Sequence, residues 1–345
     1  MFLTKLGRVS KMISVALCTY NGASFIRDQL ESIMNQTLKP DEIVICDDCS
    51  HDDTVKIIKE TFALYDGKWE LVCNPENLGY KKNFEKAIRL CHGDIIYLSD
   101  QDDVWHPKKI ELMQNIFLNH PDVQMVFHDA EIVDENLNIL KPSFWEVLRF
   151  HYQDFIEENY SRLLDSNVVQ GAACAFRKKV YQISQPFPIH VIHDQWLALN
   201  SVCVGNLYPL PKTLLKYRQT GKNEIGCQKQ KHGVEKLFKW SLSMKAMLEV
   251  NFKELMRKEY IWQELIQRDN AEIFIGCVSN QQYLSFLKNR LLGVVNRSFY
   301  KLPFFYTYLR IYGYWQISCK SFLKDLLCIC FLSHSKEFYK NNKYV

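Results

Sequence analysis

Three carboxylates lie within four residues of one another, at Asp100, Asp102 and Asp103, directly after an apolar run that ends at Leu98. Ionised carboxylates this close repel one another, so such a cluster is rarely formed without a cation. The D-x-D spacing of Asp100 and Asp102 suits a divalent ion, because such ions prefer oxygen ligands. The segment therefore predicts a metal site.

Alternating strands and helices must position these side chains. The helical patterns are amphipathic, Ser50 or Asp52 is the expected cap of the second helix, and Gly93 is the expected end of the third. Such alternation predicts a parallel sheet with right-handed crossovers, in which ligands bind at the carboxyl ends of the strands. The predicted strands are residues 13–19, 41–48, 69–74 and 94–100, and the predicted helices are residues 25–36, 50–65 and 79–93.

Polar motifs follow all four predicted strands: TYNG, DDCS, NPENLG and SDQDD, in chain order. We expect them to converge at one edge of the sheet. The first turn has one glycine where a dinucleotide fingerprint needs three, and no Walker lysine loop is present. The phosphates of a bound nucleotide would therefore be neutralised by a metal rather than by a glycine-rich loop.

The composition is that of a globular protein, with 345 residues, 47% hydrophobic and 24% charged. Twelve cysteines show no framework spacing, and the CDDC segment from Cys46 to Cys49 lacks a second pair at zinc spacing, so reduced thiols are expected. No export signal is indicated, and no uncharged apolar stretch approaches the roughly 18 residues that a membrane span needs. These features favour a cytoplasmic location.

Charge is distributed unevenly along the chain. From Gly221 onward there are 20 Lys and Arg against 10 Asp and Glu, whereas the first 220 residues have 23 against 29. The basic part includes an aromatic-rich segment, Ser298 to Trp315, which suits peripheral contact with an anionic membrane. A helical subdomain with a solvated basic face is the alternative. No nucleic-acid motif is present, so nucleic acid is not an expected partner.

Seven segments, in order, resemble the inverting nucleotide-sugar glycosyltransferases of family 2. The resemblance covers about Ser14 to Gly226, and LSDQDDVW is similar to a bacterial branch that contains many rhamnosyltransferases of polysaccharide assembly. The segments are VALCTYNGASFIRDQLESIMNQT, DEIVICDDCSHDDT, NLGYKKNFEKAI, GDIIYLSDQDDVWHPKKI, VVQGAACAFRKKV, HDQWLAL and YRQTGKNEIG.

The resemblance implies an α/β protein with the GT-A fold, a Rossmann-like, mostly parallel central sheet flanked by helices. The catalytic domain would span residues 1–225, with a nucleotide-sugar half at about 12–128 and an acceptor half at about 129–225. Residues 226–345 would form a mainly helical, basic, aromatic-rich region that associates with membrane.

The resemblance also implies roles for individual residues. Asp100 and Asp102 would hold Mn²⁺ or Mg²⁺, with Asp102 the more direct ligand and Asp103 in support. Asp194 matches the general base of the family. His193 stands where many relatives have an acid, so it would either tune Asp194 or act as the base itself.

Further positions match the nucleotide-sugar side of the family site. At the position of Thr220 the family often has a His that completes the coordination shell of the metal. In this chain water, His193 or Asn223 would supply that ligand instead. The matching positions are Thr19, Tyr20 and Asn21 at the base, Asp48 with Asp47 at the base or ribose, Asn77, Lys82 and Gln101 near the nucleotide sugar, and Arg218 with Gln219 at the pyrophosphate.

The resemblance implies transfer of a sugar, with dTDP-rhamnose as the expected donor, to a lipid-linked saccharide in the synthesis of a bacterial O-antigen or capsule. A UDP-hexose donor is the alternative within this class. A nucleotidyltransferase and an inactive nucleotide-sugar-binding module are the alternatives outside it. A nucleotidyltransferase would need a Gly-rich basic loop after the first strand, and this sequence lacks one. An inactive binding module is disfavoured because the sequence has both the D-x-D motif and Asp194.

Overall fold

The computed structural model describes residues 11–157, 163, 167–188, 191–220, 260, 261 and 264. Backbone contacts divide the chain into two units, Met1–Cys227 and Gln228–Val345. The fold below is that of the first unit. The predicted helical region at 226–345 lies almost wholly outside the described residues, as does Asn223, and the domain boundary expected at residue 225 stays a prediction.

One mixed sheet of nine strands organises the described part of the first unit. Most of its strands are apolar on both faces, which is the pattern of a sheet covered by helices on both sides. The strands are β1 (Ile13–Thr19), β2 (Glu42–Asp47), β3 (Lys68–Cys73), β4 (Ile95–Ser99), β5 (Val104–Trp105), β6 (Val123–Val133), β7 (Ile139–Lys141), β8 (Cys174–Arg177) and β9 (Asn206–Arg218).

Helices flank this sheet. They form where apolar residues recur at helical spacing; Ile26, Leu30 and Ile33, for example, are fully buried on one face of the first helix. The described helices are α1 (Ile26–Met34), α2 (Thr54–Phe62), α3 (Tyr80–Leu90), α4 (Lys109–Asn119), α5 (Phe144–Val147), α6 (Tyr152–Glu157), α7 (Lys178–Ser184) and α8 (His193–Val204), and a 3₁₀ turn covers Gly171–Ala173.

The strand order is β3-β2-β1-β4-β8-β6-β9-β5, with β7 paired to β6. β1 to β4 are mutually parallel, as predicted, and β9 is parallel to β6. β8 lies antiparallel between β4 and β6, and β5 and β7 are also antiparallel to their neighbours. The α/β class is therefore confirmed, although the sheet is more mixed than the alternation of its first half indicated.

Two predicted helix ends differ from the structure. Helix α2 begins after Asp53 rather than after Ser50 or Asp52; Asp52 instead accepts hydrogen bonds from the backbone N–H groups of Ala23 and Thr54. Helix α3 ends at Leu90, before Gly93. Gly93 is required for a different reason, because a Cβ there would lie 2.7 Å from the backbone N of Ser14.

No helix among the described residues is long and apolar enough to cross a membrane. The described cysteines are all free thiols. Cys46 is buried in β2, and Cys49 is in the turn that follows, with a positive φ of 66°.

Candidate active site

The carboxyl ends of β1, β2 and β4 bring the predicted polar motifs to one edge of the sheet, as parallel pairing of β1 with both neighbours requires. The acidic segment leaves β4 and turns into β5, which pairs with β9. Asp100 and Asp102 are partly buried, and Asp103 is fully buried. Three carboxylates thus enter a poorly hydrated region at the mouth of the sheet.

Burial, followed by repulsion from Asp102 and Asp194, raises the pKa of Asp100 to about 7. Burial also raises the pKa of Asp102, and it raises the pKa of Asp103 well above its usual value, with Asp102 and Asp100 adding to the shift. Oδ1 of Asp103 accepts a hydrogen bond from the backbone N of Arg218 at 3.1 Å, whereas its Oδ2 has no partner among the described residues. The protein surroundings therefore disfavour the charged forms of these three carboxyls.

This donor set fits a divalent cation of the Mn²⁺ or Mg²⁺ type. Two adjacent carboxylates whose charged forms are disfavoured in the absence of a cation supply hard oxygen ligands. Among the described residues no group of three His, Cys, Asp or Glu side chains forms a closed metal site. An ion held by Asp100 and Asp102 would therefore take further oxygen ligands from substrate or water.

Lys109, at the start of α4, is a site residue that the sequence analysis missed. Its side chain is fully buried, its Nζ donates to the backbone O of Ala172, and Nζ lies 3.6 Å from the ring centroid of Trp105. Burial lowers the pKa of Lys109 to about 7 against the opposing effects of Asp103 and Asp100. The HPKK segment gave no signal for this, because a lysine on an amphipathic helix is usually exposed.

Asp194 occupies the first turn of helix α8, and the helix and its neighbours hold the carboxylate from three sides. Oδ1 accepts from Nδ2 of Asn167 at 2.9 Å and from the backbone N of Gln195 at 2.6 Å, and Oδ2 accepts from the backbone N of Gly171 at 3.0 Å. Burial nevertheless raises the pKa of Asp194 to about 6. The 3₁₀ turn links this carboxylate to helix α4, because Gly171 N donates to Asp194 and Ala172 O accepts from Lys109 Nζ.

His193 precedes Asp194 and is held by aromatic packing. Its ring stacks on Phe84 with centroids 4.3 Å apart and meets Tyr80 edge-on at 6.0 Å. Neither ring nitrogen has a hydrogen-bond partner among the described residues, and a Cβ at Gly171 would lie 3.1 Å from its Nε2. Burial lowers the pKa of His193 to about 3, so the imidazole is neutral near pH 7.

Asp47 and Asp48, at the end of β2, are buried and bonded within the protein. Asp47 accepts from the Thr19 hydroxyl at 2.7 Å and from the backbone N and hydroxyl of Ser50. Asp48 accepts from Nδ2 of Asn74 at 2.7 Å and from backbone N–H groups of the loop after β3. Both carboxylates therefore hold the loops at the carboxyl ends of β1, β2 and β3 in place.

The loop after β3 closes over Asp48. The backbone N of Leu78 donates to its Oδ1 at 2.8 Å and that of Gly79 donates to its Oδ2 at 2.9 Å. Asn77 is exposed and bonds the same loop, with its Oδ1 accepting from Gly79 N at 3.0 Å. Lys82 is exposed in the first turn of α3.

Tyr20 and Gln101 join the ends of β1 and β4. The Gln101 amide accepts from Tyr20 N at 2.7 Å and donates to Tyr20 O at 2.9 Å, and a Cβ at Gly22 would clash with the Gln101 side chain at 2.2 Å. Asn21 holds the next turn, donating its N–H to the Ser50 hydroxyl and accepting from His51 N. The tyrosine ring itself is 44% exposed, so it is accessible to a ligand.

Arg218, at the end of β9, is 2% exposed and fastens several segments together. Its Nε donates to the backbone O of Asp102 at 2.7 Å. Its terminal nitrogens donate to Oδ2 of Asp28 at 2.9 Å and to the backbone O of Glu135. The guanidinium group also lies over the ring of Phe25. The backbone N of Gln219 donates to Val133 O at 2.8 Å. Thr220 ends this described stretch.

Two tryptophans near the site are core residues. Trp196 is fully buried with its Nε1 donating to Ser184 O at 2.8 Å, and Trp105 is 2% exposed.

Asp129 accepts from the Ser143 hydroxyl and from Trp145 N at 2.9 Å, so it fixes the start of α5.

A cavity of about 600 Å³ opens beside this helix, between α5, the start of α6 and an irregular stretch of β9. Phe144, on α5, contacts Tyr217 edge-on, with ring centroids 5.8 Å apart. Burial raises the pKa of Tyr217, and the carboxylates of Asp103, Asp100 and Asp102 raise it further. Strand β9 connects the two regions, because Thr213 lines the cavity and Lys216 pairs with Val104, the residue after Asp103. Its lining is Asp129, Ser143, Trp145, Glu146, Arg149, Phe150, His151, Tyr152, Pro211, Lys212 and Thr213.

Comparisons with known proteins agree with this arrangement. The family model described as glycosyl transferase family 2 matches residues 14–183. An uncharacterised glycosyltransferase of Methanocaldococcus jannaschii is 28% identical over 218 residues, which are 60% of this chain and 70% of that protein.

Two solved structures are similar in fold. TarS of S. aureus, in complex with UDP-GlcNAc, is 16% identical with a TM-score of 0.56, covering 96% of this chain and 92% of that one. The mannosyltransferase PcManGT of Pyrobaculum calidifontis, in complex with GDP-Man and Mn²⁺, is 16% identical with a TM-score of 0.50, covering 93% of this chain and 86% of that one. The chain is therefore a glycosyltransferase of the GT-A fold, and its residues 14–183 match the glycosyl transferase family 2 model.

Proposed function

We propose that the chain transfers a sugar, with inversion, from a nucleoside-diphosphate sugar to a saccharide hydroxyl. The observation that carries the proposal is that the protein holds the Asp100–Asp103 cluster after β4 and, separately, a buried carboxylate, Asp194, whose oxygens are fixed by hydrogen bonds. An acidic cluster suited to a cation and a separate carboxylate suited to proton transfer are the two groups that such a transfer needs.

Asp194 is the proposed general base. It takes the proton of the acceptor hydroxyl while that oxygen bonds the anomeric carbon, and the electron pair of the broken bond leaves with the diphosphate. A base with a pKa near the working pH is efficient, and the pKa of Asp194 is about 6. His193 is neutral at that pH and precedes Asp194 in the first turn of α8, so its proposed role is to orient Asp194 or the acceptor.

Asp100 and Asp102 are the proposed holders of Mn²⁺ or Mg²⁺, with Asp103 behind them. A bound ion would act as a Lewis acid toward the departing diphosphate. Because the Arg218 guanidinium is engaged by Asp28, Asp102 O and Glu135 O, we propose that Arg218 supports the acidic segment, while Gln219 lies next to it at the pyrophosphate side.

The nucleotide is proposed to bind at the ends of β1 and β2. Tyr20 offers an exposed ring for stacking on the base, beside Thr19 and Asn21. Asp47 and Asp48 hold the surrounding loops, and Asn77 and Lys82 lie exposed at the rim. This arrangement supports a nucleotide site that is preformed rather than built on binding.

The proposed donor is dTDP-rhamnose, on the resemblance of LSDQDDVW to a rhamnosyltransferase-rich branch. A UDP-hexose is the alternative donor, because TarS was solved with UDP-GlcNAc. The proposed acceptor is a lipid-linked saccharide of a bacterial O-antigen or capsule. Its sugar would reach Asp194 from the side of the cavity beside α5, where Trp145 and Tyr152 offer aromatic faces and Arg149 and Lys212 offer charge.

Calorimetric binding of dTDP, UDP and GDP, each with and without Mn²⁺ or Mg²⁺, tests the proposal. We expect one diphosphate to bind in a metal-dependent manner, and dTDP would support rhamnose. Asp102→Ala should abolish the metal dependence, whereas Asp154→Ala, an exposed aspartate on α6, should not. Binding of none of the three, or unchanged metal dependence in Asp102→Ala, would contradict the proposed site.

A further inference from the structure

The imidazole of His193 is closely enclosed. One face stacks on the ring of Phe84, with centroids 4.3 Å apart and the two planes at 15° to each other. At the Nε2 edge of the ring lies Gly171, where a Cβ would come within 3.1 Å of that nitrogen. His193 is 6% exposed and Phe84 is 2% exposed. Because protein interiors are densely packed, the ring has little room to shift.

Packing, rather than hydrogen bonding, holds this imidazole within the described part of the chain. Both ring nitrogens are buried, and neither has a hydrogen-bond partner among the described residues. The edge of the Tyr80 ring adds a further contact, with its centroid 6.0 Å from that of the imidazole. The position of the ring is therefore set by the shapes of its neighbours.

The imidazole and the proposed base lie in the same turn. His193 is the first residue of α8 and Asp194 is the second. Oδ2 of Asp194 accepts from the backbone N of Gly171 at 3.0 Å, so Gly171 both adjoins the imidazole and holds the carboxylate. A shift of the imidazole would move this turn, and the carboxylate with it.

Helix α3 connects this turn to the carboxylate at the end of β2. Gly79, directly before the helix, donates its N–H to Oδ2 of Asp48 at 2.9 Å. Tyr80 is the first residue of the helix, and Phe84 follows about one turn later. One short helix thus adjoins the loop that surrounds Asp48 at its start and the His193 imidazole one turn further on.

We propose that the His193 imidazole, held by Phe84 and Gly171, sets the position of Asp194 relative to the nucleotide, with Phe84 as a positioning residue. The inference rests on the proposed function, in which Asp194 is the base and the nucleotide binds at the ends of β1 and β2. Sugar transfer requires the attacking oxygen, the anomeric carbon and the departing diphosphate to be aligned, and a displacement of about 1 Å can lower the rate about a hundredfold. A helix that adjoins both parts of the site keeps that alignment.

Phe84→Leu should slow turnover without weakening nucleotide binding. Leucine occupies much of the same space but has no flat face, so the imidazole is no longer held in one plane. We expect hydrolysis of the donor to fall about tenfold, as for a displacement smaller than 1 Å, while the dissociation constant of the nucleoside diphosphate is unchanged. Phe62→Leu is the matched control, because Phe62 is also 2% exposed on a helix but stacks on Trp69.

Hydrolysis with water as the acceptor measures turnover without an identified glycan. The water oxygen bonds the anomeric carbon, its proton goes to Asp194, and the diphosphate leaves with the electron pair of the broken bond. Release of dTDP from dTDP-rhamnose and of UDP from UDP-GlcNAc is followed with the full chain, and calorimetry with dTDP and UDP gives the affinities. Thermal unfolding shows that each variant is folded at the assay temperature.

Slower hydrolysis in Phe84→Leu alone, with unchanged nucleotide affinity, supports the inference. Hydrolysis at the wild-type rate in Phe84→Leu, or an equal slowing in Phe84→Leu and Phe62→Leu, overturns it. Neither of these outcomes counts against the proposed function. The proposed function fails instead if Asp194→Asn hydrolyses the donor as fast as the wild type does.

Gly171→Ala reaches the imidazole from its Nε2 edge and keeps the test decisive if Phe84→Leu does not fold. The φ of Gly171 is not positive, so alanine suits the backbone, but its Cβ would displace the imidazole by a few tenths of an ångström. We expect slower hydrolysis in Gly171→Ala, and a much smaller further loss when the same change is made in His193→Asn, which lacks the ring. An equal fold-loss in both backgrounds would overturn the inference, because the methyl group would then act without the imidazole.

Discussion

Asp194 combines two opposing requirements within one side chain. Its hydrogen bonds from Asn167, Gly171 and Gln195 favour the charged form, whereas burial disfavours it, and burial prevails because the pKa is raised to about 6. A carboxylate in aqueous solution would be too weak a base to assist a hydroxyl group near neutral pH. The hydrogen bonds keep Asp194 oriented, and the poor hydration gives it basicity.

Asp194→Asn should lower turnover by about a hundredfold or more, since removal of a general base typically costs that much. Nucleotide affinity should not change, because Asp194 is proposed to contact the acceptor hydroxyl rather than the nucleotide. Steady-state kinetics and nucleotide calorimetry on the same preparation measure both quantities. His193→Asn is the matched control; a larger loss of turnover in that variant than in Asp194→Asn would move the role of base to His193.

Turnover should also fall on acidification, with an apparent pKa near 6. Asp194 accepts a proton only when it is ionised, so activity is full above that pKa and decreases about tenfold for each pH unit below it. A pH–rate profile at saturating donor measures this. A profile that is flat from pH 7 to pH 5 would contradict the assignment of Asp194 as the base.

Sequence reasoning found the charged residues of the site but not all their surroundings. Asp100 and Asp102 were predicted because two carboxylates at D-x-D spacing follow an apolar strand, and Asp194 was predicted from the resemblance of HDQWLAL to the family. Lys109 was not recognisable, because nothing local separates it from the exposed Lys108. The internal bonding of Asp48 also depends on the loop at Leu78 and Gly79, whose path is a tertiary property.

At the scale of elements, Glu42 secures the amino-terminal edge of the sheet, opposite the site. It begins β2, and its carboxylate accepts from the Ser14 hydroxyl at 2.6 Å, from His92 N and from Lys68 Nζ at 2.9 Å. Burial alone would raise the pKa of Glu42, but these hydrogen bonds outweigh it and lower the pKa to about 2. The Glu42 carboxylate thus joins strands β1, β2 and β3 to the turn before β4.

Glu42→Gln should lower the free energy of unfolding at pH 7 by about 2 kcal/mol, allowing for the exposure of Lys68. Because the folded-state pKa of Glu42 is depressed, its contribution is complete above the unfolded-state pKa near 4.5 and disappears as the pH falls through about 2. Urea unfolding at pH 7 and pH 2.5 measures this. Glu70→Gln, at an exposed position of β3, should have little effect at either pH.

The first four strands and three helices were predictable because each is a local pattern of apolar residues. Strand β8 was not, since Cys174–Arg177 is only four residues long and its partners β4 and β6 are distant in sequence. The end of α3 was misplaced for a related reason. Gly93 resembles a helix stop, but its small size serves the close approach of the backbone at Ser14.

At the scale of the whole molecule, basic residues predominate after Gly221, with 20 Lys and Arg against 10 Asp and Glu. If this part contacts membrane electrostatically, as we propose for an enzyme with a lipid-linked acceptor, the full chain should sediment with vesicles that contain anionic lipid and not with neutral ones. Raising the salt concentration should release it. Equal sedimentation with both vesicle types, or none with either, would contradict the proposed peripheral membrane contact.

The position of β8 between β4 and β6 has a consequence for synthesis of the chain on the ribosome. Strand β4 ends at Ser99, whereas the strand that covers its outer edge ends at Arg177. At roughly 5 to 20 residues per second, the apolar edge Ile95–Ser99 stays uncovered for about 4 to 16 s after it is made. During that interval β1 to β4 can already pair, so the growing chain presents an unprotected sheet edge to any other strand nearby.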